Sequence, residues 1–209
     1  MIIFIRHGQT TTNAQGLLVG RSDPDLTAFG ERQAVALREA LDGVQEVWTS
    51  PLSRARRTAA LALPHLRAVV NDAFIEVDYG HWDGRSLKEV SGEQWRAFEH
   101  DHDVAFDGGE SLAAVDARVH NALDALLADA GSYLHRSDEH LAIVSHVSPI
   151  KSATTWALGV SGSVAWRTRL DNASLTTIGV RSGTPSLVRF NAVVPVRDDV
   201  HEQRSPSAS

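Results

Sequence analysis

The chain has 209 residues, 43% of them hydrophobic, which suits one large α/β domain or two small ones with a sizeable core, one compact domain being the default. Twenty Lys and Arg against 26 Asp and Glu leave a net charge of −6, which opposes binding to nucleic acid or to an anionic membrane surface. Cysteine is absent, so disulfide scaffolds, thiolate nucleophiles and cysteine zinc sites are excluded together. The opening Met1-Ile2-Ile3-Phe4-Ile5 is too short an apolar run for a signal peptide or a membrane span, and the expectation is a soluble, cytoplasmic protein. Charge is unevenly spread: residues 72–140 carry 16 acidic and 5 basic side chains, while both flanks are mildly basic.

Ile2–Ile5 is short, apolar and β-branched, the pattern of a strand buried on both faces in a parallel sheet. Polar residues follow, and then Ala34, Leu37 and Leu41 recur at helical spacing within 29–41, with Thr27 placed to cap and Gly43 to terminate. Glu46–Ser50 reads as a second strand. Pro51 opens a predicted helix through Ala55, Thr58 and Leu61 that Pro64 ends. A short third strand is expected at Ala68–Val70. In the acidic middle, Glu93–His100 and Ser111–Ala130 read as helices, the second from Leu112, Val115, Val119, Leu123 and Leu126. Leu141–Ser145 is a further apolar strand, followed by a helix from about Pro149 to Leu158. Thr176–Val180 and Leu187–Phe190 read as closing strands around a Ser-Gly-Thr-Pro turn. Strands alternating with helices predict an α/β three-layer sandwich with a mostly parallel central sheet, filling residues 1–196 as one domain. Residues 197–209 are polar and read as a tail.

In an open α/β sheet, ligands bind beyond the carboxyl ends of the strands. Arg6, His7 and Gly8 follow the first strand, Ser53 and Arg54 the second, Glu76 the third, and His146 the fourth. Two arginines with two histidines make a cationic cup for a dianion, because a guanidinium matches phosphate oxygens with a planar fork of donors. Imidazole is nucleophilic near neutrality and can take a phosphoryl group covalently. A nearby carboxylic acid can protonate the leaving oxygen and later accept a proton from water. That is phosphoryl transfer needing no metal and no cofactor. His100-Asp101-His102-Asp103 has no usual ligand spacing and reads as a solvated loop. Arg56 and Arg57 read as solvated helix residues, while Tyr79, His81 and Trp82 either shape a substrate mouth or pack a cap.

The sequence resembles the histidine phosphatase superfamily, also called phosphoglycerate-mutase-like. The resemblance rests on Arg6-His7-Gly8-Gln9-Thr10 with Asn13, on Gly20 and Asp23 ahead of Leu26-Thr27 and Gly30, and on Thr49-Ser50-Pro51-Leu52-Ser53-Arg54-Ala55 with Thr58. It continues through Ile75-Glu76-Val77-Asp78-Tyr79-Gly80 with Trp82 and Gly84, Gly108-Gly109-Glu110-Ser111, and Ser145-His146. It implies His7 as nucleophile and phosphohistidine, Arg6, Arg54 and His146 as the clamp on the phosphoryl oxygens, and Glu76 as proton donor and then base. Asn13 and Gly20 would line the pocket beside them, with Tyr79 at its mouth. Where the family has Gly after the second histidine, Val147 stands here, and its β-branched side chain would narrow the pocket or alter the backbone. The implied activity is hydrolysis of a small phosphorylated metabolite. The alternatives are a mutase of the phosphoglycerate type, which needs cationic contacts for a second acidic group, and an inactive module that only binds phosphorylated ligands. A homodimer is compatible with the sequence but not demanded by it.

Overall fold

The computed structural model describes residues 1–128 and 139–197. Its strands are β1 (Ile2–Arg6), β2 (Val44–Thr49), β3 (Val69–Val70), β4 (His140–Ser145), β5 (Ser174–Arg181) and β6 (Thr184–Val193). The helices are α1 (Thr11–Ala14), α2 (Ala28–Ala36), α3 (Ser53–Ala62), α4 (Gly92–His100), α5 (Leu112–Ala128) and α6 (Val147–Leu158). One six-stranded sheet runs in the order β3-β2-β4-β1-β5-β6. The first four strands in that order are parallel, and β5 and β6 add an antiparallel hairpin to the edge. The α/β sandwich with a mostly parallel sheet is therefore what the chain builds.

Strand β1 lies at the centre because its side chains serve both faces. Ile2 and Phe4 join the core built with α5 and α6, while Ile3 and Ile5 join the one built with Leu37, Leu41 and α3. Alternation along a strand distributes a continuous apolar run to the two sides in this way. Ser182 and Gly183, with φ of 51° and 75°, make the two-residue turn of the closing hairpin, whose twist favours positive φ at both positions. Pro185 is tolerated in β6 because that strand is the sheet edge.

Several boundaries differ from the sequence expectation. The helix predicted at 29–41 is α2 followed by a 3-10 turn, Leu37–Ala40, with Thr27 capping through Gly30 N. Helix α3 begins at Ser53, after Pro51 rather than at it. Helix α6 begins at Val147, two residues earlier than the pattern suggested, because His146 itself is the N-cap. The short α1, held by a reciprocal Thr10–Asn13 capping box, has too few residues to show a periodicity. The last two residues of the predicted helix Ser111–Ala130, and the tail beyond 197, lie outside the described residues.

The loop after β1 crosses the start of α2 at two glycines. A Cβ on Gly30 would strike the backbone of Gln9, and one on Gly8 would strike Gly30 O. This close approach lets the residues after His7 pack directly on α2. Gly30→Ala is expected to cost about 1–3 kcal/mol, a fall in Tm of about 2–4 °C per kcal/mol, whereas Gly92→Ala, where a Cβ meets nothing within 4 Å, is expected to be neutral. Thermal unfolding of the two variants checks the contrast.

Candidate active site

Four parallel strands point their carboxyl ends the same way, and the residues that follow them meet there. Arg6 ends β1 and His7 follows it, held by its N–H to Ser145 O at 3.0 Å. Ser50 follows β2 and Arg54 lies in the first turn of α3. His146 follows β4. Glu76 lies beyond β3 and the 3-10 turn Asp72–Phe74, and Ser145 Oγ ties that turn to β4 by donating to Phe74 O at 2.7 Å.

The tautomer of His7 follows from its neighbours. Nδ1 lies 2.8 Å from Gly8 O, which can only accept, so Nδ1 carries the proton. Arg54 Nε lies 3.3 Å from Nε2 and can only donate, so Nε2 presents its lone pair. Burial, then the Arg54 and Arg6 guanidinium groups, hold the His7 imidazole well below its usual titration range. His7 is thus a neutral base with a fixed nucleophilic nitrogen.

The second histidine sits 5.1 Å away between ring centroids, fully buried, and is also held neutral by burial and by Arg54. Its Nε2 lies 2.7 Å from Ser50 Oγ, which already accepts from Leu52 N–H at 3.3 Å and so has its proton to give. That arrangement leaves the His146 proton on Nδ1, a buried atom with no partner in the protein. Arg6 Nε is likewise buried without a partner, while its Nη1 donates to Leu170 O at 2.6 Å. Two buried donors that lack acceptors, on the residue before His7 and on the histidine beside it, suit an oxyanion.

Arg54 is 1% exposed. Its Nη1 and Nη2 donate to Ser22 O at 2.6 Å and Gly20 O at 2.7 Å, and Asp23 lies 3.7 Å from Nη1. Two of its five N–H groups remain for a ligand. Gly20 thus contributes a carbonyl that holds Arg54, and Tyr79 packs against Gly20, since a Cβ there would meet Tyr79 Cδ2 at 3.1 Å. Asn13 Oδ1 accepts from Asn172 Nδ2 at 3.1 Å, and the same amide reaches His7 O at 3.3 Å.

Glu76 is 3% exposed and its carboxylate caps α6. Oε2 accepts from Val147 N–H at 3.0 Å, and Oε1 from Ser148 N–H at 3.1 Å and Val77 N–H at 2.9 Å. Its charge acts on both Arg6 and Arg54, which places it beside the cup. Asp78, two residues on, instead closes a turn on Gly80 N–H at 2.8 Å and pairs with Arg21 at 3.6 Å.

The structure therefore gathers Arg6, His7, Asn13, Gly20, Arg54, Glu76 and His146 around one point, with Val147 in the capped turn. Tyr79 is buried against Phe98 and Phe106 in an aromatic cluster of the cap, with ring centroids 5.9 and 6.1 Å away. His81 is exposed beside Asp107, and Trp82 packs on Phe106. Arg57 pairs with Glu31 at 2.8 Å on the surface. His102 departs from the solvated-loop expectation: it is half-buried against α5, 3.2 Å from Asp116. Among the described residues no cluster of His, Asp or Glu is arranged to hold a metal ion.

Sequence reasoning missed Asn172 and Leu170. Both precede β5, which runs antiparallel to β1, so its start rather than its end lies at the site edge. A search that looks only after each strand passes over them. Ala173, in the same segment, takes a left-handed φ of 53° and donates its N–H to His7 O at 3.1 Å.

Relatives place this geometry. A profile described as the histidine phosphatase superfamily (branch 1) matches residues 2–193. The chain is 31% identical over 198 residues to phosphoserine phosphatase 1 of Hydrogenobacter thermophilus, covering 91% of each chain. Its fold is similar to that of a phosphoserine phosphatase variant from Entamoeba histolytica solved with phosphoserine, at 26% identity and a TM-score of 0.80, over 91% of this chain and 95% of that one. It is also similar to a mycobacterial glucosyl-3-phosphoglycerate phosphatase solved with VO3, at 27% identity and a TM-score of 0.83, over 91% and 98% of the two chains. With a match that runs from the first strand to the last, the chain belongs to the histidine phosphatase superfamily, branch 1.

Proposed function

We propose that the protein is a phosphomonoesterase acting on a small phosphorylated metabolite through a phosphohistidine. The observation that carries the reading is His7, whose Nε2 lone pair is fixed by the Nδ1 contact to Gly8 O and set among Arg54, Arg6 and His146. The phosphoryl oxygens are met by the remaining donors of Arg54, by Arg6 Nε and by His146 Nδ1. As the ester enters, the Arg54 Nε–H turns from Nε2 to a phosphoryl oxygen and the Glu76 carboxylate takes up a proton; Nε2 then attacks phosphorus as the ester P–O bond breaks, and Glu76 gives that proton to the departing alkoxide. Water then attacks the phosphohistidine while Glu76 takes one of its protons, so the acid ends the cycle as it began. Oε2 of Glu76 has one protein donor, which leaves a lone-pair position for that proton.

Hydrolysis is favoured over mutase chemistry by the charges beside the cup. Arg21 pairs with Asp78 and with Glu110 at 3.3 Å, and Arg118 pairs with Glu110 at 2.9 Å, so these two cations already have carboxylate partners. A mutase would use such cations to hold the second acidic group of the released alcohol. An inactive binding module would have no use for the fixed lone pair of His7 together with Glu76. Phosphate release from a panel headed by phosphoserine and 3-phosphoglycerate tests the reading.

His7→Ala is expected to abolish turnover without unfolding the protein, and rapid quenching of the wild type should trap acid-labile, base-stable phosphate on His7. Turnover within tenfold of wild type in the variant would sink the covalent route. Glu76→Gln is expected to cost about 10²–10⁴ in kcat/KM with an alkyl phosphate and far less with p-nitrophenyl phosphate, whose leaving group needs no proton. Asp78→Asn should show no such dependence on the leaving group, and a reversal of the two behaviours would make Asp78 the acid.

The buried histidines also set the acid response. Both are neutral in the fold and titrate near the usual 6.5 when unfolded, so the unfolded chain binds more protons below that pH. Their contribution to stability is present above about pH 6.5 and is lost as pH falls toward the depressed folded values. Tm should therefore decline from pH 6.5 to 5.5, and His146→Gln should flatten the decline. An equally steep fall in the variant would show that His146 is not held neutral.

A further inference from the structure

Arg54 sets the nucleophile, and what sets Arg54 is the placement of two residues, Gly20 and Ser22, whose carbonyls receive its Nη atoms at 2.7 and 2.6 Å. The N–H groups of the same two residues converge on one side chain. Asp83 Oδ1 accepts from Gly20 N–H at 2.9 Å and from the Ser22 hydroxyl at 2.7 Å, and Oδ2 accepts from Ser22 N–H at 2.6 Å. Asp83 arrives from the cap, after the 3-10 turn Gly80–Trp82. It is held there by Leu18 N–H donating to Arg85 O at 2.8 Å and Gly84 N–H donating to Leu18 O at 3.0 Å. A Cβ on Gly20 would meet Val77 O at 3.0 Å, so the loop is pressed against the cap from the other side as well.

We infer that Asp83 is a positioning residue for phosphoryl transfer: by holding the segment Gly20–Ser22 through its N–H groups and hydroxyl it places the carbonyls of Gly20 and Ser22, and so aims the Arg54 guanidinium at Nε2 of His7. The inference rests on the reading of His7 as nucleophile and Arg54 as its clamp. Asp83 touches neither His7 nor the phosphoryl group. Its three accepted hydrogen bonds need both carboxylate oxygens, and an amide in its place would offer one acceptor and turn an N–H toward a donor. Released from these peptides, Arg54 would swing from His7, and the positive charges facing the imidazole would fall from Arg54 and Arg6 to Arg6 alone, with His146 neutral and Glu76 acting on the arginines.

The test is Asp83→Asn in the full-length protein. A misplaced clamp should lower kcat/KM for p-nitrophenyl phosphate about 10–100-fold and weaken competitive inhibition by inorganic phosphate. The imidazole of His7, followed by 15N NMR, should take up its proton at higher pH than in the wild type, a shift that a merely structural role would not produce. In an Arg54→Ala background the same substitution should change kcat/KM by less than about twofold, because the two residues act as one unit. Ser22→Ala, which removes only the hydroxyl bond, should move the titration in the same direction by less, and it decides the question if Asp83→Asn does not fold. An unmoved His7 titration, or a full additional loss on the Arg54→Ala background, overturns the inference. If wild-type protein released no phosphate from any ester, the phosphatase reading would fail, while the imidazole titration would still decide whether Asp83 positions Arg54.

Discussion

A charged guanidinium buried against a neutral imidazole is the constraint around which this site is organised. Removing Arg54 from water costs several kcal/mol unless its donors find acceptors. Gly20 O, Ser22 O and His7 Nε2 supply three, and Asp23 supplies a countercharge. The same cation that needs this enclosure makes a second proton on His7 unfavourable. Arg54 and the neutral His7 ring are therefore set by one act of burial. The shell beyond is arranged accordingly: Thr58 Oγ1 accepts from Gly8 N–H at 3.0 Å and donates to Arg54 O at 2.7 Å, tying the backbones of the loop after His7 and of helix α3 together.

The sheet makes that enclosure affordable. Because β1 is central, His7 emerges between β4 on one side and β5 on the other, and each neighbour contributes to holding it. From β4 come Ser145 O and, one residue on, His146. The segment entering β5 brings Leu170 O for Arg6 and Asn172 and Ala173 for His7 O. Apolar layers close both faces, so the strand ends are held by a packed core on each side rather than by loops alone.

Much of this was legible in the sequence. Buried parallel strands are continuous apolar runs, and Ile2–Ile5 and Leu141–Ser145 announced themselves in that way. The residues placed directly after strands were equally legible, because the rule that carboxyl ends carry the site needs only the strand positions. What sequence could not show is the part fixed by tertiary geometry. Asp83 and Asn172 have no periodicity or spacing that marks them; the first acts through peptide N–H groups 61 and 63 residues away, the second across an antiparallel pairing. Tyr79 illustrates the same boundary, since mouth and cap-packing readings fit the sequence equally, and it takes the positions of Phe98, Phe106 and Gly20 to tell where the ring lies.

The replacement of the family's Gly by Val147 turns on what the position has to do. A glycine there would matter most if the backbone had to adopt a positive φ or let another chain pass close by. Neither applies: Val147 is the first residue of α6, is not among the positive-φ residues, and its N–H points to Glu76 Oε2 at 3.0 Å. The function of that residue in the capped turn is carried by its N–H, which any residue but proline supplies. Glu76 meets two backbone donors at the positive end of a 12-residue helix, and the helix begins at the residue that follows His146. Glu76 and His146 are thereby fixed relative to each other through one helix start, and a β-branched first residue with a helical backbone leaves that link intact.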